Sequence, residues 1–95
     1  MKHHILVKWN ELVTDKERTA GEVAELFRSA GEKEGVRAVR VLPNCVDRPN
    51  RYDLMIVLEM EKESLPVWDG SELHKKWKET YGPLTLSKAI FDSEE

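Results

Sequence analysis

The chain has 95 residues, of which 15 are Lys or Arg and 18 are Asp or Glu, for a formal net charge of -3. A chain of this length makes a single domain, residues 1–95, that buries only roughly 60 to 65% of its unfolded surface, so a second subunit would help it considerably. Its charges are spread along the chain rather than gathered in blocks, which argues against nucleic acid and anionic membrane as partners.

The one cysteine, Cys45, cannot form an internal disulfide. With no charged-then-apolar leader and no apolar run of about 18 residues, a cytoplasmic protein is expected.

His3 to Trp9 reads as a first strand, with His3, Ile5, Val7 and Trp9 on one face and His4, Leu6 and Lys8 on the other. Thr14-Asp15-Lys16-Glu17 then has the form of a capping box with Thr14 as cap. A helix follows in which Ala20, Val23, Ala24, Leu26, Phe27 and Ala30 form one apolar stripe. Gly35 is its expected stop. Val36 to Leu42 is a second strand, and the arginines Arg37 and Arg40 mark it as an edge.

The polar, turn-rich stretch from Asn44 to Arg51 suits a link between antiparallel strands. Within it, Arg48 and Arg51 are expected to pair with Asp47 and Asp53, and Cys45 to be at least half-buried. The third strand, Tyr52 to Met60, contains the unbroken apolar run Leu54-Met55-Ile56-Val57-Leu58 and reads as a central strand buried on both faces.

Pro66 is expected to break any helix begun at Glu63. Asp69 serves as the cap of a second helix over Gly70 to Tyr81, which Gly82-Pro83 stops. Leu84 to Asp92 is a last strand, and Ser93-Glu94-Glu95 a solvated tail.

Strand, helix, strand, strand, helix, strand is the order of the split βαβ, or ferredoxin-like, α+β fold. Right-handed crossovers place the first and third strands in the centre and both helices on one face. The opposite face then carries His4, Leu6, Met55 and Val57. Left bare it would be a large apolar patch, so two sheets are expected to pair face to face in a homodimeric barrel.

His3-His4-Ile5-Leu6-Val7-Lys8-Trp9, Asn50-Arg51-Tyr52-Asp53, His74 and Lys88-Ala89-Ile90-Phe91-Asp92 together resemble the stress-responsive dimeric α/β-barrel, or Dabb, family over essentially the whole chain. The resemblance implies a ferredoxin-like protomer, a homodimer, and a pocket between each sheet and its helices. In cofactor-free cyclases of that family, a histidine at the position of His74 is the base, and one at the position of His3 lines the same pocket. A tyrosine six residues before the helical histidine belongs to that pattern, and this chain has Trp68 there. Tyr81 is the candidate substitute.

On the helix, Leu73, Trp77 and Tyr81 share an inward stripe with His74 at its margin, while Lys75, Lys76, Lys78 and Glu79 fall largely outside. A histidine beside aromatic rings can have its basicity tuned for general base work, and aromatic side chains can wall a pocket for a flat, apolar ligand. Two readings stand: a site with His74 as base and His3, Trp68, Trp77 and Tyr81 binding a small apolar or aromatic molecule, or a His74 that packs at the helix edge and hydrogen-bonds a neighbour while the tryptophans fill the core. His3 and His4 point to opposite faces, and neither has a carboxylate or cysteine at ligand spacing, so no metal is expected. No cofactor is expected either, because nucleotide loops, nucleophile elbows and Cys-x-x-Cys pairs are absent. The reading of another class is a structural, stress-induced protein whose partner is its own copy.

Overall fold

The computed structural model describes residues 1–94. Strand β1 (Lys2–Trp9) alternates strictly between half-buried and buried residues, so its odd positions face the core. This follows from the period of two along a pleated strand. Helix α1 (Lys16–Phe27) buries Ala20, Val23 and Phe27, whereas Leu26 is half-buried and Ala24 exposed. Its cap is Asp15, not Thr14, and the Asp15 carboxylate accepts a hydrogen bond from the Arg18 N–H at 3.0 Å. Aspartate satisfies the same orphan donors that a threonine would.

The helix ends at Phe27, and Gly35 instead closes a 3₁₀ turn, Glu32–Glu34, with φ of 77°. Strand β2 (Ala38–Pro43) then begins two residues later than the pattern indicated.

Strand β3 (Leu54–Glu59) follows the loop, and the sheet order is β2-β3-β1-β4 with every neighbour pair antiparallel. The two most apolar strands are thus the central ones. A 3₁₀ turn at Lys62–Ser64 leads into a short helix α2 (Leu65–Asp69). Pro66 was expected to break a helix here. It sits in the first turn of α2 instead, where a missing N–H costs nothing.

Helix α3 (Glu72–Tyr81) is capped by Ser71, not Asp69. Gly82 is its C-cap, and a last 3₁₀ turn, Gly82–Leu84, feeds edge strand β4 (Thr85–Ser93). Of the expected solvated tail, Ser93 completes β4, Glu94 pairs with Lys62 at 2.6 Å, and Glu95 lies outside the described residues.

All three helices pack on one face, over a core of Ile5, Val7, Trp9, Leu54, Ile56 and Leu58 from the sheet and Val23, Phe27, Trp68, Leu73, Trp77 and Tyr81 from the helices. Gly35 sits where the chain returns to the sheet. A β-carbon there would meet Ser64 at 3.1 Å and Val67 at 3.2 Å.

Register fixes the composition of the other face. One row across the sheet is Leu42, Met55, Leu6 and Ala89, and the next is Arg40, Val57, His4 and Phe91. No helix covers these residues, and Phe91 is 63% exposed. Val57 is buried and Met55 half-buried within the single chain, so β3 is wholly covered on its helix side and partly covered on this one.

The loop between β2 and β3 departs from expectation. Asp53 does not pair with the neighbouring arginines. One oxygen meets the Lys16 ammonium at 3.0 Å, the other accepts from the Trp9 backbone N–H at 2.8 Å, and Arg51 donates to the Asn50 side chain at 2.6 Å. Lysine at the start of α1 lies above the end of β1, and tertiary proximity outweighs sequence adjacency. Cys45 is exposed rather than buried.

Candidate functional site

Strand β4 is exposed along most of its length. The resulting hollow, of about 340 Å³, lies between the β1–β4 side of the sheet and helices α2 and α3. Its composition follows from two periodicities. On the sheet side it takes the inward positions of neighbouring strands: His3 and Ile5 from β1, and Lys88, Ile90 and Asp92 from β4. On the helix side each helix contributes positions i, i+3 and i+4, which share one face. These are Leu65, Trp68 and Asp69 from α2, and His74, Trp77 and Lys78 from α3.

The Ser71 hydroxyl couples the two helices. It donates to the Trp68 carbonyl at 2.8 Å and accepts from the His74 backbone N–H at 3.1 Å. The cap of α3 thereby fixes His74 relative to Trp68, and the two rings lie 5.1 Å apart between centroids at 60°. The His74 Nδ1 is 2.9 Å from the Asp69 carbonyl oxygen. A carbonyl only accepts, so Nδ1 carries the proton and Nε2 is the basic nitrogen.

Burial holds the His74 pKa below the usual imidazole value. The Asp69 hydrogen bond and charge oppose that shift, and the Lys78 and Lys88 ammonium groups reinforce it. His74 is therefore neutral at pH 7, the form in which a histidine takes up a proton.

His3 is buried. Its Nδ1 lies 2.5 Å from Asp92 Oδ1, across a directly paired position of β1 and β4. The carboxylate accepts, so this ring too carries a proton on Nδ1. Trp68 is fully buried, and its Nε1–H is the one buried side-chain donor without a hydrogen-bond partner among the described residues. An unsatisfied buried donor costs about 1–3 kcal/mol, and the core around this one seals it from the hollow.

His3, Trp68, His74 and Trp77 thus line one cavity, and Tyr81 does not. Tyr81 lies deeper in the core, its ring 6.0 Å from Trp9 and 5.4 Å from Trp77, and its hydroxyl donates to Glu22 at 3.5 Å. Burial, with the Glu22 charge second, pushes its pKa above the ordinary phenol value.

Among the charged residues of the cavity, Asp92, Lys78 and Lys88 were given no role by sequence reasoning, and Lys78 was placed largely outside the inward stripe. Their signal was present in the alternation of β4 and in the i+4 spacing from His74.

Other hollows are larger, including one of about 680 Å³ between α1 and α3, but Lys33, Glu34, Lys75, Lys76 and Glu79 line it with solvated charge. Among the described residues no group of three or more His, Cys, Asp or Glu side chains is arranged to hold a metal ion. No described helix is long and apolar enough to cross a membrane.

No family model matches the sequence, and a search of curated proteins returns no match. Solved structures do match. A dimeric protein of unknown function and ferredoxin-like fold from Bacteroides fragilis superposes with a TM-score of 0.81 at 17% identity, covering 99% of this chain and 94% of that one. A dimeric ferredoxin-like protein of unknown function from Thermobifida fusca gives 0.77 at 14% identity, over 95% and 85% of the two chains. A Dabb family protein with a ferredoxin-like fold from Mesorhizobium loti gives 0.74 at 9% identity, over 99% and 94%. At these identities the likeness establishes the fold, which is ferredoxin-like, and the presence of a Dabb protein among the neighbours agrees with the resemblance read from the sequence.

Proposed function

We propose that this chain is a homodimeric Dabb-type protein that binds a small, flat, largely apolar molecule in the hollow between its sheet and helices α2 and α3. In this reading His74 acts as general base toward a carbon acid bound there, in cofactor-free cyclase or lyase chemistry. The observation that carries the reading is the hollow itself. A cavity of about 340 Å³ in which a neutral histidine stands against a buried indole is within the range of small-molecule sites. A tightly filled core behind α3 would have favoured a purely structural protein instead.

The chemistry asked of His74 is simple. Its Nε2 lone pair takes a proton from a carbon next to a carbonyl group, the electrons of the C–H bond move onto the carbonyl oxygen, and an imidazolium and an enolate result. Trp68 and Trp77 back the hollow from the core and hold the His74 side of it rigid. His3, oriented by Asp92, lines the same space. The apolar outer face of the sheet and the dimeric state of structural neighbours support the homodimer.

The test is deuterium exchange at the acidic carbon of ethyl benzoylacetate, followed by NMR. Wild-type protein is expected to accelerate exchange, and His74→Ala to lose about 100-fold of that acceleration, the usual worth of a positioned base. If His74→Ala exchanges the probe as fast as wild type, the assignment of the base is wrong.

A further inference from the structure

We propose that the homodimer is a pH switch: two copies pair through the outer face of the sheet while His4 is neutral, and separate when His4 takes up a proton. This rests on the reading of the protein as a homodimer and adds what regulates the pairing.

His3 and His4 are neighbours on β1 that face opposite sides of the sheet, and only one has a counter-ion. On the helix side His3 is paired with the Asp92 carboxylate, so a charge on its ring is answered within the protomer. His4 faces outward, in the row Arg40, Val57, His4 and Phe91. Its Nδ1 lies 2.9 Å from the Phe91 carbonyl oxygen, and the two rings are 5.9 Å apart between centroids. A carbonyl only accepts, so Nδ1 already carries a proton and a second one goes to Nε2. Among the described residues no carboxylate pairs with this ring.

The charges around His4 have the wrong sign for an imidazolium. On the outer face β1 itself adds Lys2 and Lys8, β2 adds Arg40 and β3 adds Glu59, while the β4 positions Ser87, Ala89, Phe91 and Ser93 are uncharged. The Lys8 ammonium turns to the loop, donating to the Pro49 and Arg51 carbonyls at 2.8 and 3.2 Å. Glu59 stands directly opposite Lys2, one row away from His4.

His4 also lies on an inner strand of the sheet, between the apolar residues Val57 and Phe91. Face-to-face pairing of two sheets therefore covers it, and a twofold axis covers the same ring in both copies. The neutral imidazole fits such a place. Two imidazolium ions would lose their water there with no carboxylate to replace it, which is costly. In the single protomer His4 is half-buried and still reaches water. Protons thus bind the separated protomers more readily than the dimer, and by linkage acid drives the dimer apart. The range is that in which histidine changes charge, roughly pH 5 to 8.

The test is sedimentation equilibrium of the intact protein at pH 7.5 and pH 5.5 at one ionic strength, with circular dichroism of the same samples. Wild type is expected to stay folded at both and to dimerise at least tenfold more weakly at pH 5.5. His4→Asn keeps a donor near the position of Nδ1 and cannot charge, so its dissociation constant should change less than twofold between the two conditions. His4→Lys carries a permanent charge and should be monomeric at both. His74→Gln, altered on the helix side, should keep the wild-type dependence.

Equal dimerisation of wild type at the two pH values, a dependence that survives in His4→Asn, or a His4→Lys variant as tightly dimeric as wild type would overturn the switch and leave the homodimer standing. So would loss of the dimer in His4→Asn at pH 7.5, which would make shape rather than charge the requirement, or dissociation of wild type that comes only with unfolding. A wild-type protein that is monomeric at pH 7.5 would overturn the homodimer, and the switch with it.

Discussion

At the scale of single residues, His74 is where geometry and titration meet. Its imidazole is half-buried against Trp68, and burial outweighs the Asp69 hydrogen bond, so its folded pKa lies below the ordinary value of 6.5. Between the two values the unfolded chain binds more protons than the folded one, and stability therefore rises with pH across that window. The contribution is complete above the unfolded value and is lost as pH falls through the folded one. An NMR titration of the His74 ring should show a midpoint below 6.5, whereas a midpoint at or above it would contradict the placement.

Tyr81 supplies the opposite case. Seven residues after His74 it lies nearly in line on the helix, which made it a candidate, but it also lies roughly 10 Å further along the axis. Angular position was legible in the sequence and axial reach was ignored. Tyr81→Phe should leave ligand affinity unchanged and cost at most about 1 kcal/mol of stability through the lost contact to Glu22, as measured by urea unfolding. A large loss of affinity would put the hydroxyl back in the site.

At the scale of elements, the strands were read nearly correctly, from the strict alternation of β1 and the unbroken apolar run of β3, and the helix caps were not. Asp15 and Ser71 each cap a helix one or two residues beyond the residue expected, since Thr14-Asp15 and Asp69-Gly70-Ser71 each offer two competent caps and only the tertiary path selects one. The same path explains α2. It begins with Pro66 in its first turn and delivers Trp68 to the core, which periodicity over five residues could not reveal.

Gly35 controls where that unit packs. Its positive φ and its contacts with Ser64 and Val67 leave no space for a side chain, so Gly35→Ala should destabilise the fold by about 2 kcal/mol through backbone strain and overlap. Equilibrium urea unfolding measures this. A neutral effect would mean that the turn relaxes freely and that α2 is not held by it.

At the scale of the whole molecule, the outer face of the sheet sets the assembly. Leu6, Leu42, Met55, Val57 and Phe91 stand in adjacent rows with Lys2, Lys8, Arg40 and Glu59 around them, a surface with an apolar centre and a charged rim. That both faces of β1 and β3 would be in demand was visible in their apolar runs. How far one chain covers its own outer face was not, because the half-burial of Met55 and the burial of Val57 depend on neighbours across the sheet. Leu6→Glu places a charge at the centre of this face and should shift the protein to monomer in sedimentation velocity runs at micromolar concentration, without unfolding the helix side. A variant that remains dimeric would put the interface elsewhere.

The central claim joins this face to the hollow on the other side of the sheet: two copies, each holding a small, flat, largely apolar molecule beside His74. A native mass spectrum of the purified protein with ethyl benzoylacetate added reads both at once. The expected species is a dimer carrying two ligands. A folded monomer, or a wild-type dimer that stays bare at millimolar ligand, would contradict the account.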